Sequence, residues 1–354
     1  MMLYNYIMHE EDIEEECPYM DEPNFKEWRL DERALTYSDV HLIPNYSYVD
    51  SRRNVDTSVK FGPNHKFRLP VIPANMRAVI DEDLARWFSA NDYMYIMHRF
   101  DVDILEFVKK ANDEDWINIS ISIGVKEEDY DILTKIASLK LRVDFITIDV
   151  AHGHCNLMHR MIDHVKRCLP DTYLIAGNVA TGQAADALVR WGADCVKAGI
   201  GQGHVCTTKD KTGFTCPMFT CVEKCCIPGR DSADRVVIAD GGIRCNGDIA
   251  KALVAGAQMV MIGSQFSACL DSPAETVRRD GGIYKRYFGS ASIYNKRTKR
   301  HIEGIMKEIV CNQMTYAEKL QEIEQDLQSA CTYAGGDNVR DYLKPGVGIE
   351  IRQR

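Results

Sequence analysis

At 354 residues, 45% of them hydrophobic and 27% charged, the chain is long enough for one large barrel or two ordinary domains with a sizeable core. Its net charge of −9 argues against a general nucleic-acid binder, which needs a basic field, although a small anionic ligand can still be held locally. No stretch of about eighteen apolar residues occurs, so no membrane span is expected.

Residues 1–34 are polar, with Glu10, Glu11, Asp12, Glu14, Glu15 and Glu16 in one block, and are expected to form an acidic arm. The start, MMLYNYIMHEEDIEEE, lacks the basic lead and longer apolar stretch of a secretory signal. Thirteen cysteines without a regular framework suit reduced thiols, so a cytoplasmic protein is expected. From Leu35, LTYSDVHLIP predicts a short extended segment stopped by Pro44, and SRRNVDTS, residues 51–58, sets two arginines side by side in a solvated loop.

From Leu69 onward, eight short β-rich runs alternate with segments of helix length: 69–76, 93–100, 118–125, 145–152, 173–180, 195–201, 235–242 and 259–266. Each has the length of a buried parallel strand, and segments such as DEDLARWFSA and NGDIAKALVAGA suit the helices between them. Eight units predict an α/β protein of the (β/α)8 TIM-barrel class. An open doubly wound sheet competes, but even spacing and the absence of a nucleotide fingerprint after the first run favour closure. The barrel is expected to span 35–336, with a lid segment over 290–315 and a C-terminal tail over 337–354.

A closed barrel brings the residues after each strand to one mouth. Asn75, His98, Arg99, Asp149, Asn178, Cys206, Asp240 and Ser264 stand at those positions. The loop KAGIGQGHVCTTKDKTG, residues 197–213, concentrates Gly199, Gly201 and Gly203 before Cys206, Thr207 and Thr208, so a thiol, hydroxyls and cations gather past a strand end. Cys206 there is either a nucleophile or one more small buried hydrophobe. Asp240-Gly241-Gly242 and Gly263-Ser264 close the last two runs, where barrels commonly hold phosphate on backbone N–H groups. A nucleoside monophosphate with its ribose on Asp240 and its base toward Cys206 would fit. Glu303, in the segment after the barrel, is a candidate proton relay. His152, His154, Cys155, His159 and His164, and separately Cys216, Cys221, Cys225 and Cys226, lack a recognisable zinc spacing.

These motifs, with LTYSDVHLIP, SRRNVDTS, IADGGIRCNGDIAKAL and DLQSACTYAGG, resemble the IMP dehydrogenase/GMP reductase family over about residues 35–336. VCTTKDKTG and YFGSAS look like the GMP reductase members, and the span from Arg99 to Asn118 is too short for the inserted CBS-type domain of most IMP dehydrogenases. No adjacent Arg-Tyr pair follows Gly289 to supply a dehydrogenase flap.

The resemblance implies NADPH-dependent reductive deamination of GMP to IMP and ammonia in purine salvage, through a covalent thioimidate on Cys206 with Thr208 and Glu303 moving protons. It implies Asp240, Gly241, Gly242, Gly263, Ser264, Tyr287, Gly289, Ser290 and Ala291 around the substrate. Arg99, Asp149, Val150 and Ala151 would meet the cofactor, with Ser51, Arg52, Ser329, Ala330, Cys331 and Thr332 from a neighbouring subunit of a homotetramer. Carbonyls of Gly201, Gly203 and Cys206 would bind potassium. The chain departs from the family pattern at Gln202, where proline is usual and φ is thereby freed, at His204 in place of serine or lysine, and at Arg99 in place of lysine. IMP dehydrogenase chemistry and a non-catalytic purine-nucleotide sensor are the alternatives.

Overall fold

The strands form where short β-branched and apolar runs can be buried on both faces, the condition of a parallel sheet covered by helices. The structure, a computed structural model, describes residues 33–227, 235–279 and 281–352; all but the last two residues of the expected acidic arm lie outside them. In chain order the strands are β1 (Val40–Leu42), β2 (Val59–Lys60), β3 (Lys66–Phe67), β4 (Val71–Pro73), β5 (Ser120–Ile123), β6 (Phe145–Asp149), β7 (Tyr173–Val179), β8 (Cys195–Ala198), β9 (Val237–Asp240), β10 (Met259–Ile262), β11 (Thr276–Arg279), β12 (Gly282–Phe288), β13 (Met306–Val310) and β14 (Ile349–Ile351). Strands β4 to β10 make one parallel sheet in the order β4-β10-β9-β8-β7-β6-β5. Every residue of β4, β5, β8 and β10 is buried.

Seven of the eight predicted runs form strands of this sheet, and the second differs. Residues 93–100 lie beside β5 but join it through a single parallel bridge, Met97 to Ile121. The reason is local: side-chain hydroxyls occupy the β5-side backbone groups that a longer ladder would use. Tyr95 Oη donates to the Asn118 carbonyl at 3.0 Å and accepts from Ser120 N at 3.3 Å, while Ser89 Oγ exchanges hydrogen bonds with the Asn118 backbone at 3.1 Å. The architecture is a (β/α)8 barrel whose second stave is extended chain. Between Arg99 and Ser120 the chain holds one helix, Ile104–Asp113, and no inserted domain.

The helices have legible causes. Asp81 caps α1 (Glu82–Ala90) by accepting from Leu84 N, and Leu84, Ala85 and Phe88 turn one face to the barrel. The long helix Tyr316–Ala334 starts with a capping box of Thr315 and Glu318 and ends at Gly335 in the left-handed region. Its buried Tyr316, Leu320, Ile323 and Leu327 close the core. Beyond the barrel, β11, β12 and β13 form an antiparallel sheet, and β1 pairs with β14. No helix among the described residues is long and apolar enough to cross a membrane.

Phe88 joins the first and last long helices: its ring lies 5.9 Å from Tyr316 and 6.4 Å from Phe266, and it is fully buried. Replacing Phe88 with alanine should remove about 3–5 kcal/mol of stability through lost burial and the residual cavity, read from the urea unfolding midpoint. A loss below about 1 kcal/mol would mean that the site collapses and that this contact does not brace the barrel.

Candidate active site

A cavity of about 520 Å³ opens at the carboxyl ends of the barrel strands. Its lining includes the predicted Cys206, Thr208 and Glu303; Asp240, Gly241, Gly242, Gly263, Ser264, Tyr287, Gly289, Ser290 and Ala291; Arg99, Asp149, Val150 and Ala151; and Gly201 and Gly203. Ser51, Arg52 and Ser329 to Thr332 are not part of that lining. They gather elsewhere: Arg52 Nη1 donates to Ser329 Oγ at 3.3 Å, and its guanidinium lies 5.4 Å from the Tyr333 ring centre. The Cys331 thiol is buried and donates to the Gly336 carbonyl at 3.4 Å.

The cysteine loop leaves β8 and ends in a short helix, Thr208–Thr212. Cys206 N donates to the Gly203 carbonyl at 3.1 Å, which turns the thiol back over the glycines. Thr208 Oγ1 lies 3.2 Å from Cys206 Sγ and donates to Glu303 Oε2 at 2.7 Å. Thr207 N donates to the Glu303 carbonyl at 2.8 Å, and Cys206 forms an antiparallel bridge with Gly304. A thiol, a hydroxyl and a carboxylate thus form one chain along which protons can move, between segments separated by 95 residues. Gly304 permits the approach: a Cβ there would lie 3.0 Å from Ser292 N.

Gly263 plays the same part on the other wall, since a Cβ would collide with the Tyr287 hydroxyl. That hydroxyl donates to the Met76 sulfur at 3.6 Å, and burial holds its phenol well above the usual range. Arg244 and Lys296 also line the cavity, so cations face the space beside the glycine turns. Burial, followed by the charges of Lys307 and Arg244, lowers the pKa of His204 below the ordinary histidine value.

Lys197 is the residue that the sequence reading missed. It is 2% exposed, with Nζ 2.8 Å from Asp149 Oδ1 and 2.7 Å from Asp240 Oδ2. Burial by itself would lower an ammonium, but the two carboxylates outweigh it and raise the pKa. Asp149 responds in kind: burial pushes its carboxyl up, and Lys197, with Arg99 and Asn75, more than reverses this, leaving it below the usual range. Asn75 Nδ2 donates to Asp149 at 3.2 Å, and Asn178 Nδ2 donates to Asp240 at 2.8 Å. The signal was a lysine inside the apolar run of β8, where only a paired charge is tolerated.

The histidines and cysteines away from the mouth have ordinary packing partners. His159 stacks on Trp191 at 4.7 Å, His164 meets Tyr130 edge-on at 4.8 Å, and the Cys225 thiol donates to the Thr181 carbonyl at 3.6 Å. Among the described residues no group of three or more His, Cys, Asp or Glu is placed to hold a metal ion.

Fold and site together define a (β/α)8 barrel with a cysteine loop at its mouth, hydrogen-bonded to a carboxylate that returns from beyond the last strand. Residues 34–349 match the family model of the IMP dehydrogenase/GMP reductase domain, and the chain belongs to that family. It is 48% identical over 315 residues to the GMP reductase of Staphylococcus carnosus strain TM300, covering 88% of this chain and 95% of that protein. It is 47% identical over 308 residues to the GMP reductase of Leptothrix cholodnii strain SP-6, covering 86% and 92%.

Gln202 fastens the loop: its Nε2 donates to Thr215 Oγ1 at 2.8 Å, and that hydroxyl donates to the Ile200 carbonyl at 2.9 Å. Gln202→Ala should raise backbone amide exchange across residues 201–213 by roughly fivefold, the equivalent of one hydrogen bond of about 1 kcal/mol. Exchange equal to that of the parent would mean that backbone contacts alone fix the loop.

Proposed function

We propose that this chain catalyses the NADPH-dependent reductive deamination of GMP to IMP and ammonia, a salvage step in purine metabolism. The observation that carries the reading is the unbroken contact chain from Cys206 Sγ through Thr208 Oγ1 to Glu303 Oε2. The named GMP reductases at 47–48% identity support the same substrate.

In this reading Cys206, as thiolate, bonds to carbon 2 of the guanine ring. The bond from that carbon to the exocyclic nitrogen breaks, and protons passed along Glu303 and Thr208 let the amine leave as ammonia. A thioimidate on Cys206 remains, with no change in oxidation level. When bound, NADPH supplies the hydride that reduces this carbon and leaves as NADP+. Cys206 takes back the electron pair of the carbon–sulfur bond, and IMP is free to depart. The sum consumes GMP, NADPH and two protons and yields IMP, NADP+ and ammonium.

Asp240 would accept from the ribose hydroxyls, with Gly241, Gly242, Gly263, Ser264, Tyr287 and Gly289 around the phosphate and Ser290 and Ala291 against the nucleotide. The lining fits such ligands. Arg244 and Lys296 supply cations near the glycine turns, and buried Asn178 Oδ1 and Arg99 Nε make no hydrogen bond among the described residues. Arg99 and the Asp149–Ala151 segment would hold the cofactor, completed by Ser51, Arg52 and residues 329–332 of a neighbouring copy in a homotetramer. Carbonyls of Gly201, Gly203 and Cys206 would hold potassium and order the loop. All described cysteines are free thiols, which suits action in the cytoplasm.

The test is loss of NADPH absorbance with GMP and potassium chloride, with IMP identified by chromatography. The parent should oxidise NADPH and Cys206→Ala should not. Glu303→Gln and Thr208→Val should lower kcat by roughly 10²–10⁴ while GMP affinity changes far less, and lithium in place of potassium should slow turnover. XMP made from IMP and NAD would instead select the dehydrogenase reaction. Nucleotide binding without any turnover would select a sensor.

A further inference from the structure

Lys197 belongs to neither the proton chain nor the proposed ligand contacts, yet it occupies the centre of the mouth. Its strand, β8, lies next to β9, which ends at Asp240, and two places from β6, which ends at Asp149. One buried ammonium is therefore shared by two carboxylates on different strands, at 2.8 and 2.7 Å. Each carboxylate has one further donor, Asn75 for Asp149 and Asn178 for Asp240. Asp240 takes both Lys197 and Asn178 on Oδ2, which leaves Oδ1 without a hydrogen bond among the described residues.

We infer that Lys197 is a positioning residue that couples the nucleotide subsite to the cofactor subsite by holding Asp240 and Asp149 on a single ammonium. The inference rests on the function proposed above, which puts the ribose on Asp240 and the cofactor beside Asp149. A hydroxyl that donates to Asp240 takes up part of its negative charge and weakens its hold on Lys197. The ammonium then leans toward Asp149 and fixes the cofactor side more firmly. By linkage, cofactor bound beside Asp149 must alter GMP affinity by the same factor.

Removal of the ammonium has a second signature. Without the ammonium, the Asp149 carboxyl loses the partner that helps lower its pKa and is left facing a second carboxylate, so it takes up a proton more readily. Among the described residues, Arg99 acts on the Asp149 side and Tyr287 and Tyr37 lie on the Asp240 side, while Cys206, His204, Arg244, Lys296 and Glu303 line the same cavity. In the parent, the depressed Asp149 carboxyl contributes stability that is present above its unfolded pKa and lost as pH falls. In Lys197→Met, burial and the neighbouring carboxylate push the Asp149 carboxyl up instead, so its contribution is present at low pH and lost as pH rises. The slope of melting temperature against pH between about 4 and 7 should differ in sign at this site.

The experiment is calorimetric titration of GMP with and without saturating NADP+, which cannot reduce it, on the parent and Lys197→Met, with melting temperature followed against pH. The parent should show a GMP Kd changed about fivefold or more by NADP+, and reciprocally. Lys197→Met should bind GMP at least about tenfold more weakly, lose the coupling to within about twofold of none, and show the altered pH slope. If that variant does not fold, Lys197→Met with Asp149→Asn restores charge balance and should bind GMP without coupling. The parent's coupling surviving in either variant overturns the inference, as does independent binding of the two ligands to the parent. A lower melting temperature with unchanged coupling and slope marks Lys197 as structural and overturns it equally. A parent that couples the two ligands yet never oxidises NADPH sinks the reaction and leaves the coupling standing.

Discussion

The backbone bridge between Cys206 and Gly304 is the contact on which the rest of the mouth depends. Around it runs a short ladder: Thr207 N to the Glu303 carbonyl at 2.8 Å, Ile305 N to Val205 at 3.0 Å, Gly289 N to Ile305 at 3.1 Å and Glu303 N to Ala291 at 3.1 Å. These bonds join the cysteine loop, the end of β12 and the segment after it into one wall. Glu303 faces Thr208 because its own backbone is held on both sides, so the side chain needs little further ordering to make that contact. A carboxylate on a free surface loop would have to give up that entropy to reach the same hydroxyl.

The floor under this wall is electrostatic. The barrel strands end in Asp149 and Asp240, and the cavity between them is walled by apolar strands, where an unpaired charge is expensive. Lys197 removes that cost by pairing with both, and Asn75 and Asn178 supply the remaining donors. Losing one member of such a group leaves a buried charge without compensation, a penalty of about 3–5 kcal/mol. The site is thus stable only as a set, which fixes the spacing between the two carboxylates before any ligand arrives.

Most of the barrel was legible because its strands are buried on both faces and so write continuous apolar runs, as in MVMIG and FITID. The mouth followed from topology, since a parallel barrel brings every strand end to one rim. Two things were not legible. The run 93–100 has the composition of a strand, but Tyr95 satisfies its neighbour's backbone with a side-chain hydroxyl, a tertiary choice that leaves no mark on local pattern. Lys197 stands in the sequence as a charge within an apolar run, but its partners could not be named, because Asp149 and Asp240 are 48 and 43 positions away in the chain. Glu303 stood out as a possible proton relay in the segment after the barrel, but its partnership with Thr208 came only from the family resemblance, because the two are 95 positions apart in the chain.

The departure at Gln202 illustrates how one backbone position can be fixed by different physics. A proline fixes φ covalently and needs no partner. Gln202 frees that torsion, yet its amide reaches Thr215, whose hydroxyl in turn holds the Ile200 carbonyl, so the loop is tied across its own base. The two solutions differ in where the entropy is lost. Proline narrows the unfolded chain, whereas the glutamine must be ordered each time the loop closes. A loop tied by hydrogen bonds can also open at modest cost, about 1 kcal/mol per bond. Cys206 is thereby held from two sides, by the loop that Gln202 ties across its base and by the Gly304 bridge.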